Sequence, residues 1–309
     1  MRDDSARSMA RHVRLGISPL SWTNDVLEEL GNEIPLRVCL AEAAGLGFEG
    51  IELGRKFPRQ AGALKEALAP HGLDLVSGWW SGRLVERSVE DELAAAGDHA
   101  RLLREMGCEV VVYGEVGGMF GPAPLDEPVS RSPALPAAEL AAYAGRVSEF
   151  AERLRDGFGL TLAYHHHLMM VVETADEVAS FFDQTGEAVG ILLDTGHAAA
   201  AGFDYCRVFE THGARIKHIH LKDVRRQVLE SVRAEDLSFN EGVRRGMFGT
   251  PGQGDLDFRP VAEFIRASGY RGWIVVEAEQ DPKKAPPKEA VAFGLAHLVR
   301  SFANAQKEA

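Results

Sequence analysis

Cysteine is scarce in this 309-residue chain, which has only Cys39, Cys108 and Cys206 and no CxxC pair. An odd and widely spaced set argues against a disulfide framework and predicts a reducing compartment. No apolar run approaches the roughly 18 residues that a membrane span needs. The first twelve residues, MRDDSARSMARH, lack the apolar core of a secretory signal. We therefore expect a cytoplasmic protein with no membrane partner.

Basic residues are also in short supply, since 34 Lys and Arg face 46 Asp and Glu and the net charge is −12. The cations are spread along the chain, and no basic stripe interleaved with aromatic residues is present. Such a chain repels a phosphate backbone. The composition thus argues against a nucleic-acid partner and leaves metal ions and neutral polyols open.

The chain lacks a GxGxxG motif after its first predicted strand, which weighs against an open doubly wound sheet. Eight short β-rich runs instead alternate with amphipathic helical patterns, and a Gly often closes the helix before the next strand, as in AAGLGFEGIEL and RASGYRGWIVV. The predicted strands are Val13–Pro19, Phe48–Gly54, Leu73–Trp80, Glu109–Glu115, Leu160–His167, Val189–Thr195, Ile216–Asp223 and Trp273–Gln280. We predict an α/β protein that is a single (β/α)8 barrel over residues 13–309, with residues 1–12 as a flexible N-terminal tail.

Two segments interrupt the strand–helix rhythm and are predicted as long loops, at about residues 117–136 and 224–257. Each follows a predicted strand. In a barrel they therefore lie over the C-terminal mouth, where active sites form. Loops of this length are functional lids or disordered segments.

Imidazole and carboxylate groups gather at the tips of the last four predicted strands. Side chains alternate between the two faces of a strand, so one group from each tip points into the barrel. These groups form a predicted four-ligand metal site, composed of His165, Asp194, His220 and Glu277. Such a set suits Mn²⁺, Fe²⁺, Co²⁺ or Zn²⁺. Whether His165 or His167 is the ligand on strand five stays open, and the alternative is that each group is a lone polar residue in a core.

Other residues near the mouth carry weaker predictions. Glu52 binds substrate or a second metal, or forms an ion pair. Lys222 acts as an acid, base or oxyanion partner, or forms a salt bridge. His197 touches substrate or supports a ligand. Trp22 and Asn24 lie where a substrate ring would meet a wall, with core packing as the alternative for the tryptophan.

The motifs GISPLSW, GFEGIEL, LDTGH, HIHLKD, PGQGDLDF and GWIVVEAEQD resemble those of the xylose-isomerase-like barrel superfamily. The resemblance implies that Asp194, His220 and Glu277 are metal ligands. AYHHH and HLKDVRR are more specific, and with these the chain resembles the inosose dehydratases of myo-inositol catabolism. His165 occupies the position of a Glu in the wider superfamily. That departure weakens an epimerase interpretation, which needs two opposed carboxylate bases.

This resemblance implies a carbon–oxygen lyase (hydro-lyase) that dehydrates 2-keto-myo-inositol (scyllo-inosose) to a trihydroxycyclohexane-1,2-dione, with Mn²⁺ or Co²⁺ and, by resemblance only, glutathione. His167 and Lys222 are the predicted acid and base in either order, and Glu277 shares the base role. The alternatives are a ketose or polyol isomerase or epimerase of the same fold, and a non-catalytic polyol-binding barrel. The expected partner is a cyclic polyol ketone; the stereoisomer accepted and a homo-oligomer are left open.

Overall fold

The computed structural model describes residues 13–305, in which eight parallel strands close into a barrel. The eight strands are β1 (Arg14–Ile17), β2 (Gly50–Leu53), β3 (Asp74–Gly82), β4 (Val110–Glu115), β5 (Thr161–His165), β6 (Val189–Asp194), β7 (Ile216–Leu221) and β10 (Trp273–Val276). Two short strands, β8 (Asp223–Val224) and β9 (Phe248–Gly249), pair antiparallel outside the barrel. The predicted fold class is confirmed.

Helices follow the strands in chain order and surround the barrel. They are α1 (Leu36–Leu46), α2 (Ala61–Leu68), α3 (Val89–Glu105), α4 (Ala137–Phe158), α5 (Ala175–Gln184), α6 (Thr195–Ala200), α7 (Cys206–His212), α8 (Arg226–Ala234), α9 (Phe239–Arg244), α10 (Arg259–Ser268) and α11 (Pro287–Ala305). Gly47 and Gly269, with φ of 95° and 69°, end α1 and α10 in the left-handed conformation that glycine adopts without a Cβ clash.

The pleat of each strand separates two hydrophobic layers. Leu162 and Tyr164 of β5 belong to the large core between the barrel and its helices. Ala163, between them in sequence, packs with Leu192 and two valines of β4 in a small cluster of its own. This alternation fills the interior of the barrel with side chains, and it sends His165 and Asp194, each two residues further on, toward the same interior.

The segment 224–257, predicted as one long loop, contains α8, α9, β9 and the second residue of β8. Its apolar residues form a second core over the barrel mouth, which includes Leu229, Val232, Phe239 and Phe248. The prediction missed these elements because each is shorter than the windows in which periodicity is clear. Burial against the barrel mouth, rather than length, stabilises them.

The segment 117–136 is largely irregular, with one 3-10 turn at Pro124–Asp126. It is joined to the second segment, because the Val129 N–H donates to the Leu237 carbonyl at 2.9 Å and the Ser130 hydroxyl donates to Asp236 at 2.9 Å. We call the two segments together, 117–136 and 224–257, the roof. The roof covers the end of the barrel to which the strand tips point.

The predicted tail at residues 1–12 lies outside the described residues. Among the helices of residues 13–305, none combines the length and the apolar character that crossing a bilayer requires.

Candidate active site

A cavity of about 1010 Å³ opens between the strand tips and the roof. Its floor and walls come from strand tips and the loops after them, and include Glu52, Trp79, His165, His167, His220 and Glu277. Its cover comes from the roof, through Met119, Asp126, Phe239 and Asn240 among others. The C-terminal mouth, where barrels of this kind carry their active sites, therefore holds a cavity large enough for a small ligand.

The four predicted metal ligands meet at the bottom of this cavity. Asp194 Oδ2 lies 3.6 Å from His165 Nε2 and 3.6 Å from His220 Nδ1. Glu277 Oε2 lies 3.4 Å from the same His220 nitrogen. His165, and not His167, is the strand-five residue that joins the Asp194–His220 pair.

Local hydrogen bonds aim these groups inward. The His165 Nδ1–H donates to the His166 carbonyl at 2.6 Å, which leaves the Nε2 lone pair facing Asp194. Asp194 Oδ1 accepts the His197 backbone N–H at 2.7 Å at the start of α6, so that Oδ2 is the oxygen turned to the cluster. Strand pairing also brings these groups together, because Asp194 and His220 are register partners on β6 and β7.

Two atoms of this cluster, Asp194 Oδ2 and His220 Nδ1, are buried without a hydrogen-bond partner among the described residues. Burying an unsatisfied polar atom costs about 1–3 kcal/mol. Both atoms point at one spot, and oxygen and imidazole nitrogen are the donors that a divalent transition metal takes. The residues present therefore fit such an ion. Burial disfavours the charged form of His220, but Glu52 and Glu277 outweigh it and raise its pKa, which shows how negative the spot is.

Lys222 does not line the cavity, contrary to the position expected of an acid or base. It is fully buried, with Nζ 2.6 Å from Glu277, 2.9 Å from Glu279 and 3.0 Å from His197 Nε2. Burial alone would lower the pKa of Lys222. The carboxylates of Asp194, Glu277 and Glu279 outweigh burial and raise the pKa above its usual range. Its ammonium is thus held as a cation beside Glu277, as in the salt-bridge alternative.

His167 lines the cavity beside the four predicted metal ligands. Its Nδ1–H donates to the Leu168 carbonyl at 2.6 Å, so Nε2 carries the free lone pair. Burial, followed by the neighbouring His165 and Lys222, holds the pKa of His167 well below its usual range, and the ring is therefore neutral. The ring of His197 lies against it with centroids 3.7 Å apart, and Trp79 meets both His165 and His167 edge-on.

Trp22 and Asn24, predicted to contact substrate, differ in position. The Trp22 indole is fully buried away from the cavity, and its Nε1–H donates to Glu42 of α1 at 2.6 Å, so the prediction for Trp22 is corrected to core packing. Asn24 does line the cavity, although its Oδ1 accepts the backbone N–H groups of Val26 and Leu27 and shapes the turn. Trp79 is the tryptophan that lines the cavity.

Comparison with known proteins agrees with the barrel fold. Residues 40–300 match the family model described as the xylose isomerase-like TIM barrel. The chain belongs to this family.

Individual relatives within this family are similar to the chain over most of its length. The chain is 44% identical to the rhizopine catabolism protein MocC of Rhizobium meliloti, over 97% of this chain and 91% of the relative. It is 39% identical to an inosose dehydratase of Geobacillus thermodenitrificans, over 90% of this chain and 93% of the relative. Among solved structures, the IolI protein with a binding zinc atom superposes with a TM-score of 0.69 at 15% identity, over 94% of this chain and 99% of that one. The last shows the fold alone.

The sequence did not single out two residues that this barrel places at the cavity. Glu279 lines it and lies close to the ring nitrogens of His167 and His197. Asn240 enters from the roof, with its Nδ2 donating to Asp126 at 2.8 Å and its Oδ1 buried without a partner among the described residues. Glu279 is two residues past Glu277, and period-two alternation could have identified it. Nothing local could have identified Asn240.

Proposed function

We propose that this chain removes water from 2-keto-myo-inositol, giving a trihydroxycyclohexane-1,2-dione. One observation carries the proposal: the strand-five member of the cluster is His165, aimed at Asp194 from 3.6 Å, where an epimerase of this fold would present a second carboxylate base. A metal-bound imidazole is neutral and does not shuttle protons. Similarity to an inosose dehydratase across 90% of the chain supports the same reaction.

We propose His165, Asp194, His220 and Glu277 as the residues that hold a divalent metal. When bound, such an ion supplies Lewis-acid polarisation of the substrate ketone. Mixed imidazole and carboxylate donors suit Mn²⁺, Fe²⁺, Co²⁺ and Zn²⁺ alike. Among these we propose Mn²⁺ or Co²⁺, because the resemblance to the inosose dehydratases implies them. Among the described residues, the two guanidinium groups that line the cavity, those of Arg83 and Arg244, are paired with Glu86 and Glu29. This pairing suits a neutral polyol rather than a phosphorylated sugar.

His167 is the proposed base. Its Nε2 takes the proton from the carbon next to the ketone, while the Leu168 carbonyl holds the Nδ1 proton and fixes the ring. Because burial and the nearby Lys222 ammonium keep the His167 ring neutral, its Nε2 lone pair is free at neutral pH. A well-placed base of this kind contributes about 10²–10⁴ to the rate.

Glu279, in place of Lys222, is the proposed acid. It gives a proton to the hydroxyl on the next carbon, which leaves as water while the C–H electron pair forms the new double bond. Burial raises the pKa of the Glu279 carboxyl even though Lys222 opposes that shift, and this favours the protonated form that an acid needs. Lys222 then positions Glu277 and Glu279 through its 2.6 Å and 2.9 Å contacts.

The remaining assignments rest on narrower grounds. The three cysteines are free in the structure, which favours a reducing compartment, and we propose the cytoplasm. Glutathione stays an expectation of the resemblance. The similarity to MocC is compatible with the proposal, because that name gives a catabolic route and no reaction.

The test is incubation of Mn²⁺- or Co²⁺-loaded protein with a panel of inososes and ketoses, followed by mass spectrometry. We expect loss of one water from 2-keto-myo-inositol, abolished in His167→Phe. A product of unchanged mass with inverted configuration would identify an epimerase. Binding without turnover of any polyol ketone would identify a non-catalytic barrel.

A further inference from the structure

Glu52 lies at the third position of β2, on the side of His220 away from the other ligands. It is nearly buried, with 7% of its surface exposed. Three donors converge on its Oε1: the Ser77 hydroxyl at 2.7 Å, His218 Nε2 at 2.9 Å and His220 Nε2 at 3.1 Å. An oxygen that already accepts three hydrogen bonds is poorly placed to bind a substrate hydroxyl or a second metal, the two roles expected from the sequence.

The two ring nitrogens of His220 face different surroundings. Nε2 faces Glu52, whereas Nδ1 faces Asp194 Oδ2 at 3.6 Å and Glu277 Oε2 at 3.4 Å and has no hydrogen-bond partner. A neutral imidazole carries one N–H, and an ionised carboxylate can only accept. The proton of a neutral His220 therefore resides on Nε2, and the lone pair on Nδ1.

The surroundings of Glu52 fix its carboxyl as a hydrogen-bond acceptor. Its Oε1 accepts from Nε2 of His218 and from Nε2 of His220, both on β7. Ser77 adds a third donor from β3, and β2 and β3 are paired neighbours in the barrel. The carboxylate is thus fixed from two sides, with β3 and β7 each supplying donors.

We propose that Glu52 is a positioning residue that holds His220 in the Nε2–H form and so presents the Nδ1 lone pair to the metal position between Asp194 and Glu277. The inference rests on the metal site of the proposed function and adds an outer residue to it. Carboxylates that accept the second N–H of a ligand histidine typically change metal affinity about 10- to 100-fold when removed.

Zinc competition with a chelator, measured without substrate, tests the affinity. Glu52→Gln keeps the side-chain volume and removes the charge, and we expect zinc to bind about 10- to 100-fold more weakly. Glu115→Gln is the matched control, because Glu115 is another fully buried carboxylate at a strand tip, bonded to Tyr113 at 2.8 Å and to no predicted ligand. Its zinc affinity should not change. Equal zinc affinity in Glu52→Gln and wild type would overturn the inference.

Nitrogen-15 NMR of the zinc-loaded wild-type protein tests the tautomer and needs no variant to fold. We expect His220 to carry its proton on Nε2 and its metal on Nδ1. Ligation through Nε2 would overturn the inference while leaving the metal site intact. A wild-type protein that binds no zinc, Mn²⁺ or Co²⁺ would overturn the metal site and this inference together, whereas failure of the dehydration assay alone would leave both measurements standing.

Discussion

The strand tips and the roof enclose the same cavity but are built in opposite ways. His165, Asp194 and His220 stand on or at the ends of paired strands, so the barrel ladder sets their spacing. The roof is held by its own small core and by single side-chain contacts such as Asn240 to Asp126. A rigid floor suits groups that must meet within a few tenths of an ångström, and a separately built cover suits selection and exclusion of water.

Loss of a ligand from the floor is the largest expected effect. In Asp194→Ala or His220→Ala, bound metal should be lost while the far-UV circular dichroism stays that of the wild type, because the barrel core is untouched. Activity should fall by about 10³-fold or more, since Lewis-acid stabilisation is worth several kcal/mol and each 1.4 kcal/mol is tenfold. Full metal occupancy in both variants would show that the cluster is not the metal site.

Removal of the buried cation should be the next largest effect. Lys222→Met keeps most of the volume but leaves Glu277 and Glu279 without their partner, so we expect kcat to fall by about 10²-fold or more. The melting temperature should also fall, because breaking a buried ion pair costs about 3–5 kcal/mol. Metal affinity should fall as well, because Lys222 positions the proposed ligand Glu277 through their 2.6 Å contact.

Lys283→Met is the control for Lys222→Met, because Lys283 is exposed and its ammonium lies 3.7 Å from Glu33 on the surface. A kcat within about threefold of wild type in Lys222→Met, far from the 10²-fold expected for a group that supports acid–base residues, would reduce Lys222 to a structural role.

A roof variant should affect binding more than chemistry. Asn240→Ala removes a side chain that lines the cavity and whose buried Oδ1 has no partner among the described residues. One lost hydrogen bond is worth about 0.5–1.5 kcal/mol. We expect KM to rise by about threefold to tenfold, with kcat and metal content near wild type. A large loss of kcat at constant KM would break the distinction between floor and roof.

The smallest effect is expected for Trp22→Phe. The phenyl ring fills most of the buried site but leaves Glu42 without the indole N–H, so the free energy of unfolding should fall by about 1 kcal/mol. Urea denaturation measures that loss. Steady-state kinetics should not change, and a raised KM would restore Trp22 as a substrate contact.

The sequence was informative where local rules act. Helix-closing glycines and short apolar runs located all eight barrel strands, and period-two alternation selected His165, Asp194 and His220. It failed where the chain leaves the ladder. Lys222 follows the last residue of β7, so alternation could not tell that its ammonium turns from the cavity toward Glu277 and Glu279.

The roof was less predictable because long-range burial determines it. Leu168 and Met169, which follow β5, pack in the same cluster as Val232 and Phe239 of the roof, far away in sequence. Asn240 points into the cavity only because α9 is held there by contacts of this kind. No periodicity within a six-residue helix reveals such a position.

Anomalous X-ray diffraction from crystals loaded with Co²⁺ or Mn²⁺ tests the central claim most directly, because it locates the ion among competing imidazole clusters. We predict a single strong peak bonded to His165 Nε2, Asp194 Oδ2, His220 Nδ1 and Glu277 Oε2. A peak held instead by His167, His197 and Glu279, another histidine–carboxylate group at this cavity, would contradict the account, since the proposed base and acid would then be the ligands.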